Sequence, residues 1–178
     1  MSRHLAVDSN TLTYLLDAVQ PGYDPQCDAS GLGPEKTAMV RLFLFAECLF
    51  WVSPTVKAEY RQIPGTAWRE AHERWASLLL HDQDLDVSKA ALEARARELL
   101  VFHPSRNDCR VVAEAEHAGC SELLSCDEAM LSRLAGAADL RIMRPSELFD
   151  ELGIGPGAEP RVLPAASNPL LLESWWRL

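Results

Sequence analysis

Apolar positions change period along the chain, and the changes divide it into elements. His4–Asp8, HLAVD, is a short apolar run ending in an acid and predicts a first strand. In SNTLTYLLDAV, Leu12, Leu15, Leu16 and Val19 recur at helical spacing, with Ser9 or Asn10 as the expected N-cap. The Pro- and Gly-rich QPGYDPQCDASGLGP follows, long enough for a lid or binding loop. Pro34–Cys48 reads as a broadly apolar helix, and Leu49–Ser53, LFWVS, as a buried strand. SPTVKAEYRQI opens a helix with Ser53 as N-cap and Pro54 at the first helical position. Helices are expected over Thr66–Leu80 and Ser88–Val101, with a short strand at Leu85–Val87 between them. SRNDCRVVAEAEHAG predicts the next helix. Pro104 and Ser105 mark its start, Val111, Val112, Ala115 and Ala118 form one stripe, and Gly119 closes it. A strand over Cys120–Cys126, a helix over Asp127–Leu134, a strand over Leu140–Met143 and a short helix capped by Ser146 complete the series.

Strands alternating with helices imply an α/β protein with a mostly parallel sheet covered on both faces. Such sheets place their sites beyond the carboxyl ends of the strands. Of the 178 residues, 1–152 are expected to form one domain. From 153 to 178 the chain turns Pro- and Gly-rich and ends in the apolar LLLESWWRL, a linker and extension. Asn168-Pro169 is expected to start a final short helix, covered either by its own domain or by a partner.

Composition narrows the setting. The N-terminus has no apolar signal region, and MVRLFLFAECLFWVS is broken by Arg41 and Glu47, so no membrane span is expected. The five cysteines form no C-x-x-C pair, which points to reduced thiols and a cytoplasmic protein. A net charge of −9 opposes passive nucleic-acid binding and leaves acids free to hold a divalent cation or meet a basic partner.

Four acids stand out. Asp8 ends the first strand and Asp127 follows the strand ELLSC, so both emerge at the same edge of a parallel sheet. Asp108 lies three residues before Val111, on the inward stripe of its helix. Glu59 lies three residues after Val56 and four before Ile63, again on an apolar face. Each alone has an ordinary role: a strand end for Asp8, a first-turn acid for Asp108, an N-cap for Asp127, the margin of a stripe for Glu59. Together they are a set of costly carboxylates with no evident buried cation, and hard oxygen ligands suit Mg²⁺ or Mn²⁺. Unmetallated, they would repel, so removing one of them, Asp108, is expected to relieve the fold. Arg106 and Arg110, one turn apart beside Asp108, are candidates for contact with a phosphate backbone or for a plain solvated edge. His103 and His117 have no ligand-like spacing and read as structural.

The segments LAVDSNTLTYLL, SPTVKAEYRQ, RNDCRVVAEAEHAG and LLSCDEAML, in this order, resemble the PIN-domain family of nucleases over about residues 3–150. The resemblance implies a three-layer α/β/α fold and metal-dependent hydrolysis of RNA phosphodiester bonds. It implies Asp8, Glu59, Asp108 and Asp127 as metal ligands or as groups that orient metal-bound water. Asn10 and Ser125 would support the site. Many small members are VapC-like toxins of toxin–antitoxin pairs, so an antitoxin and a homodimer are the implied partners. The loop from Gln20 to Pro34 and the tail after Gly153 depart from the smallest members. A non-catalytic PIN-like interaction module is the alternative. A haloacid-dehalogenase-like phosphatase needs a second Asp two positions after Asp8, where this chain has Asn10.

Overall fold

The computed structural model describes residues 2–79, 87–164 and 168–178, with the backbone alone for 75–79 and 169. The strand expected at Leu85–Val87 falls mostly outside the described residues, as does Leu80. Four strands are described: β1 (Arg3–Val7), β2 (Cys48–Trp51), β3 (Glu122–Leu124) and β4 (Arg141–Met143). They form one parallel sheet in the order β2-β1-β3-β4, with Leu5 opposite both Phe50 and Glu122 and Leu124 opposite Met143.

Eight α-helices are described: α1 (Ser9–Ala18), α2 (Gly33–Phe45), α3 (Pro54–Tyr60), α4 (Thr66–Leu79), α5 (Lys89–Leu99), α6 (Arg106–His117), α7 (Glu128–Leu134) and α8 (Pro145–Glu151). From β1 the chain moves outward to β2, then crosses back over β1 to β3. Right-handed crossovers therefore put the helices of these two connections on opposite faces. α1, α2 and α8 pack together, as do α5 and α6, while α3 touches both α1 and α6. The result is a three-layer α/β arrangement. Leu5, Leu123 and Leu124 are its sheet core, Leu12, Leu16 and Leu42 cover one side, and Leu99 and Val112 come from the α5–α6 pair.

Most helix ends follow the sequence. The Ser53 hydroxyl accepts the Val56 N–H at 3.1 Å, with Pro54 at the first helical position. Ser53→Ala is expected to cost about 1 kcal/mol, read as a lower urea midpoint at unchanged slope. At the end of α6, Gly119 takes φ 69°, and the Cys120 N–H reaches back to the Ala115 carbonyl at 3.1 Å.

Three local expectations are corrected. The cap of α1 is Asp8 rather than Ser9 or Asn10: its backbone is extended and its carboxylate accepts the Thr11 N–H at 2.6 Å. Ser146 does not cap α8. Arg144 holds that position because Pro145, which needs no hydrogen-bond acceptor, starts the helix; the Ser146 N–H and hydroxyl go to the Glu35 carboxylate at 3.0 and 2.7 Å. Asn168 caps a short helix in the tail as expected, but among the described residues it is a single 3-10 turn, Pro169–Leu172, that does not run on through the apolar end, and Trp176 beyond it is buried.

The connection Gln20–Pro34 is fastened. It holds a 3-10 turn at Pro25–Cys27, and Asp28 and Asp17 grip the buried Lys36 ammonium at 2.9 and 3.3 Å. The rings of Tyr14 and Tyr23 stand 5.7 and 5.5 Å from the same nitrogen. Hydrogen bonds from the Ser30 hydroxyl and from Lys36 hold the Asp28 carboxyl well below the usual carboxylate range.

Candidate active site

Parallel pairing of β1 and β3 ends both strands at one place, where the Asp8 N–H donates to the Leu124 carbonyl at 3.2 Å. Asp8 is only 5% exposed. Its Oδ1 accepts the Thr11 N–H at 2.6 Å and its Oδ2 the Ser125 hydroxyl at 2.5 Å. The same Ser125 oxygen accepts the Asp127 N–H at 3.0 Å, so one buried hydroxyl ties the two acids together. Asp127 caps α7 through Oδ1, which accepts from the Ala129 and Met130 N–H groups at 2.7 and 2.9 Å. Burial raises the Asp8 pKa above its ordinary value. Hydrogen bonds from Ser125 and Thr11 pull it down, and the Asp127 charge pushes it up.

The other two acids stand on α3 and α6, which pack on each other. Ser105 caps α6, accepting the Asp108 N–H at 3.3 Å. The Asp108 Oδ2 lies 2.7 Å from His103 Nε2. Glu59 Oε1 accepts from the Asn107 amide at 2.8 Å. The structure joins two of the four acids and leaves the other two with separate partners. Asp8 and Asp127 share Ser125; Asp108 and Glu59 are each engaged by a neighbour from the α6 entry. Among the described residues, no three His, Cys, Asp or Glu side chains are grouped so as to hold a metal ion.

The supporting residues divide likewise. Ser125 lies between the first pair, whereas Asn10 is exposed in the first turn of α1. Arg106 and Arg110 both reach Glu93, at 3.0 and 3.1 Å, and Arg110 also reaches Glu114 at 3.1 Å. Their charges are thus shared with acids of the same chain. Cys126, between Ser125 and Asp127, is no thiolate: burial, with the Glu35 and Asp8 charges, pushes its thiol up to about 12.

His103 is the contact the sequence reading missed. Its side chain meets Asp108 only because Pro104 and Ser105 turn the chain between α5 and α6. A His five residues before an Asp has no helical or strand periodicity to announce it.

The comparisons with known proteins add little. No known protein family matches the chain, and no curated protein does. Among solved structures it is similar to FitAcB from Neisseria gonorrhoeae, with 14% identity, coverage of 79% of this chain and 97% of that chain, and a TM-score of 0.49. A likeness at that level carries no functional argument, so the functional reading rests on the residues themselves. Among the described residues, no helix is long and apolar enough to cross a membrane.

Proposed function

We propose that this protein is a divalent-metal-dependent ribonuclease that hydrolyses RNA phosphodiester bonds. The observation that carries the reading is the Asp8–Ser125–Asp127 arrangement at the carboxyl end of a parallel sheet. A buried carboxylate with a raised pKa beside a second acid is costly unless a cation joins it. The donors fit Mg²⁺ or Mn²⁺, which are commonly held by one or two carboxylates with waters completing the shell. Such an ion supplies an activated water and charge stabilisation at the phosphate.

The chain's own residues have these roles. Asp8 and Asp127 hold the cation, and Ser125 holds the Asp8 carboxylate with its hydroxyl hydrogen and the Asp127 backbone N–H with its oxygen. Asp108 on α6 and Glu59 on α3 are assigned the orienting of water. Asn10 supports the site from the start of α1. Arg106 and Arg110 meet the RNA backbone when they exchange Glu93 for phosphate. The ordered acids also support placing the protein among PIN-like toxins of toxin–antitoxin pairs. That reading makes it a cytoplasmic homodimer neutralised by an antitoxin.

The test is incubation with single-stranded and hairpin RNAs in Mg²⁺ or Mn²⁺, with chelator as the control. Defined fragments that vanish with chelator and in Asp127→Asn are the expected outcome. Tight RNA binding with no fragments in either metal would overturn it and establish the non-catalytic module.

A further inference from the structure

We infer that the cavity between α2, α8, the Gln20–Pro34 connection and the tail is a binding site for a small aromatic carboxylate, with Arg41 as its anion receptor. The inference does not depend on the ribonuclease reading. The cavity measures about 640 Å³, inside the roughly 300–1,000 Å³ of ordinary small-molecule sites. Pro34, Thr37 and Arg41 line it from α2, Phe149 from α8 and Trp175 from the tail. Two aromatic side chains with a few polar groups among them are the usual walls of such a site.

Charge decides the ligand class. Arg3, Arg95, Arg110 and Arg144 are half-buried, and each meets a carboxylate. Arg41 is half-buried too, but among the described residues it meets only carbonyls and a ring. Its Nε donates to the Trp176 carbonyl at 3.3 Å, and its Nη2 to those of Trp175 and Arg177 at 2.8 and 3.1 Å. A guanidinium has five N–H groups, so the two on Nη1 are left without a partner among the described residues. The guanidinium carbon stands 5.9 Å from the Phe149 ring centre. Burial pushes the Arg41 pKa below its ordinary value, and no carboxylate offsets the push. Asp150 also lines the cavity, but it is exposed and forms no ion pair with Arg41. The indole N–H of Trp175 is buried and likewise lacks a hydrogen-bond partner.

A ligand carboxylate at Nη1 supplies the missing counter-charge through charge-assisted bonds, which are about twice as strong as neutral ones. Its aromatic body packs on the faces that Phe149 and Trp175 offer. Three carbonyls already pin the guanidinium, so binding costs little of its side-chain freedom. A neutral molecule leaves the charge unmatched, and a cation is repelled by it.

The test uses naphthoate as the probe, with naphthamide as its neutral counterpart and naphthylmethylammonium as the cation. Affinity is read by calorimetry on the full chain. Naphthoate should bind at least about tenfold more tightly than naphthamide, the cation should not bind, and naphthoate should raise the melting temperature of wild type. It should also shift the indole N–H resonance that disappears in Trp175→Phe. Arg41→Gln keeps an amide donor without the charge and should bring naphthoate down to the naphthamide level. Thr37→Phe leaves Arg41 in place, fills the cavity and should abolish binding. If Arg41→Gln does not fold, Thr37→Phe decides. Naphthoate bound no more tightly than naphthamide, bound equally by Thr37→Phe, or not bound by wild type overturns the inference.

Discussion

Asp8→Asn is expected to lower metal-dependent RNA cleavage by about 10³-fold while raising the melting temperature of the metal-free protein. The two effects share one cause. Asp8 is buried, and its pKa is raised chiefly by desolvation, with the Asp127 charge adding to it. A carboxylate raised in the folded state binds more protons folded than unfolded. Its contribution to stability is fully present below the ordinary value of 3.8 and is lost as pH rises through the folded value. Wild type in chelator should therefore be less stable at pH 8 than near pH 4 from this group, and the variant should lack that loss. Asn is as good an N-cap as Asp, so α1 keeps its start. Mn²⁺ at a hundredfold excess over its dissociation constant should stabilise wild type by about 2.7 kcal/mol and the variant much less. Melting curves at the two pH values, with chelator and with Mn²⁺, separate the cases. If the variant melts lower than wild type in chelator and cleaves equally well, Asp8 is only the cap of α1.

Trp176→Ala should have the largest effect on stability. Trp176 is 1% exposed, its indole N–H donates to the Leu170 carbonyl at 2.7 Å, and its ring lies 6.2 Å from that of Phe45. Arg41 holds the same segment through the carbonyls of Trp175 at 2.8 Å, Trp176 at 3.3 Å and Arg177 at 3.1 Å. Truncating a buried Trp costs roughly 3–5 kcal/mol. At about 2–4 °C per kcal/mol for a chain of this size, the melting temperature should fall by roughly 6–20 °C. Cleavage at low temperature should survive, because Trp176 makes no contact with Asp8, Ser125 or Asp127. An unchanged urea midpoint would show that the tail only rests on the domain.

The described strands, and the ordinary helices between them, were legible because their burial writes itself into the period of the apolar residues. Leu12, Leu15 and Leu16 at helical spacing, and the short apolar runs of β1 and β3, needed nothing beyond that pattern. What was not legible depended on long-range polar partners. Ser146 looked like a cap, but Glu35 from α2 claims it. Arg106 and Arg110 looked free, but Glu93 on α5 faces both. A raised carboxyl was expected somewhere among the four acids, and burial raises Asp8; stripe position gives a side chain's direction and not its depth. The meeting of Asp8 with Asp127 was readable from strand order, but the Ser125 hydroxyl between them was implied only by resemblance.

The Lys36 cluster has a practical meaning for anyone handling the protein. A surface connection of this length, rich in Gly and Pro, is where a protease would be expected to nick a chain. Here its far end is moored to a buried ammonium between two carboxylates and two phenol rings. Trypsin should not cut after Lys36 until the domain opens as a whole. Amine-reactive labels should for the same reason mark the exposed Lys89 long before it. The time at which Lys36 becomes reactive is then a clock for global opening, built into the chain and needing no added probe.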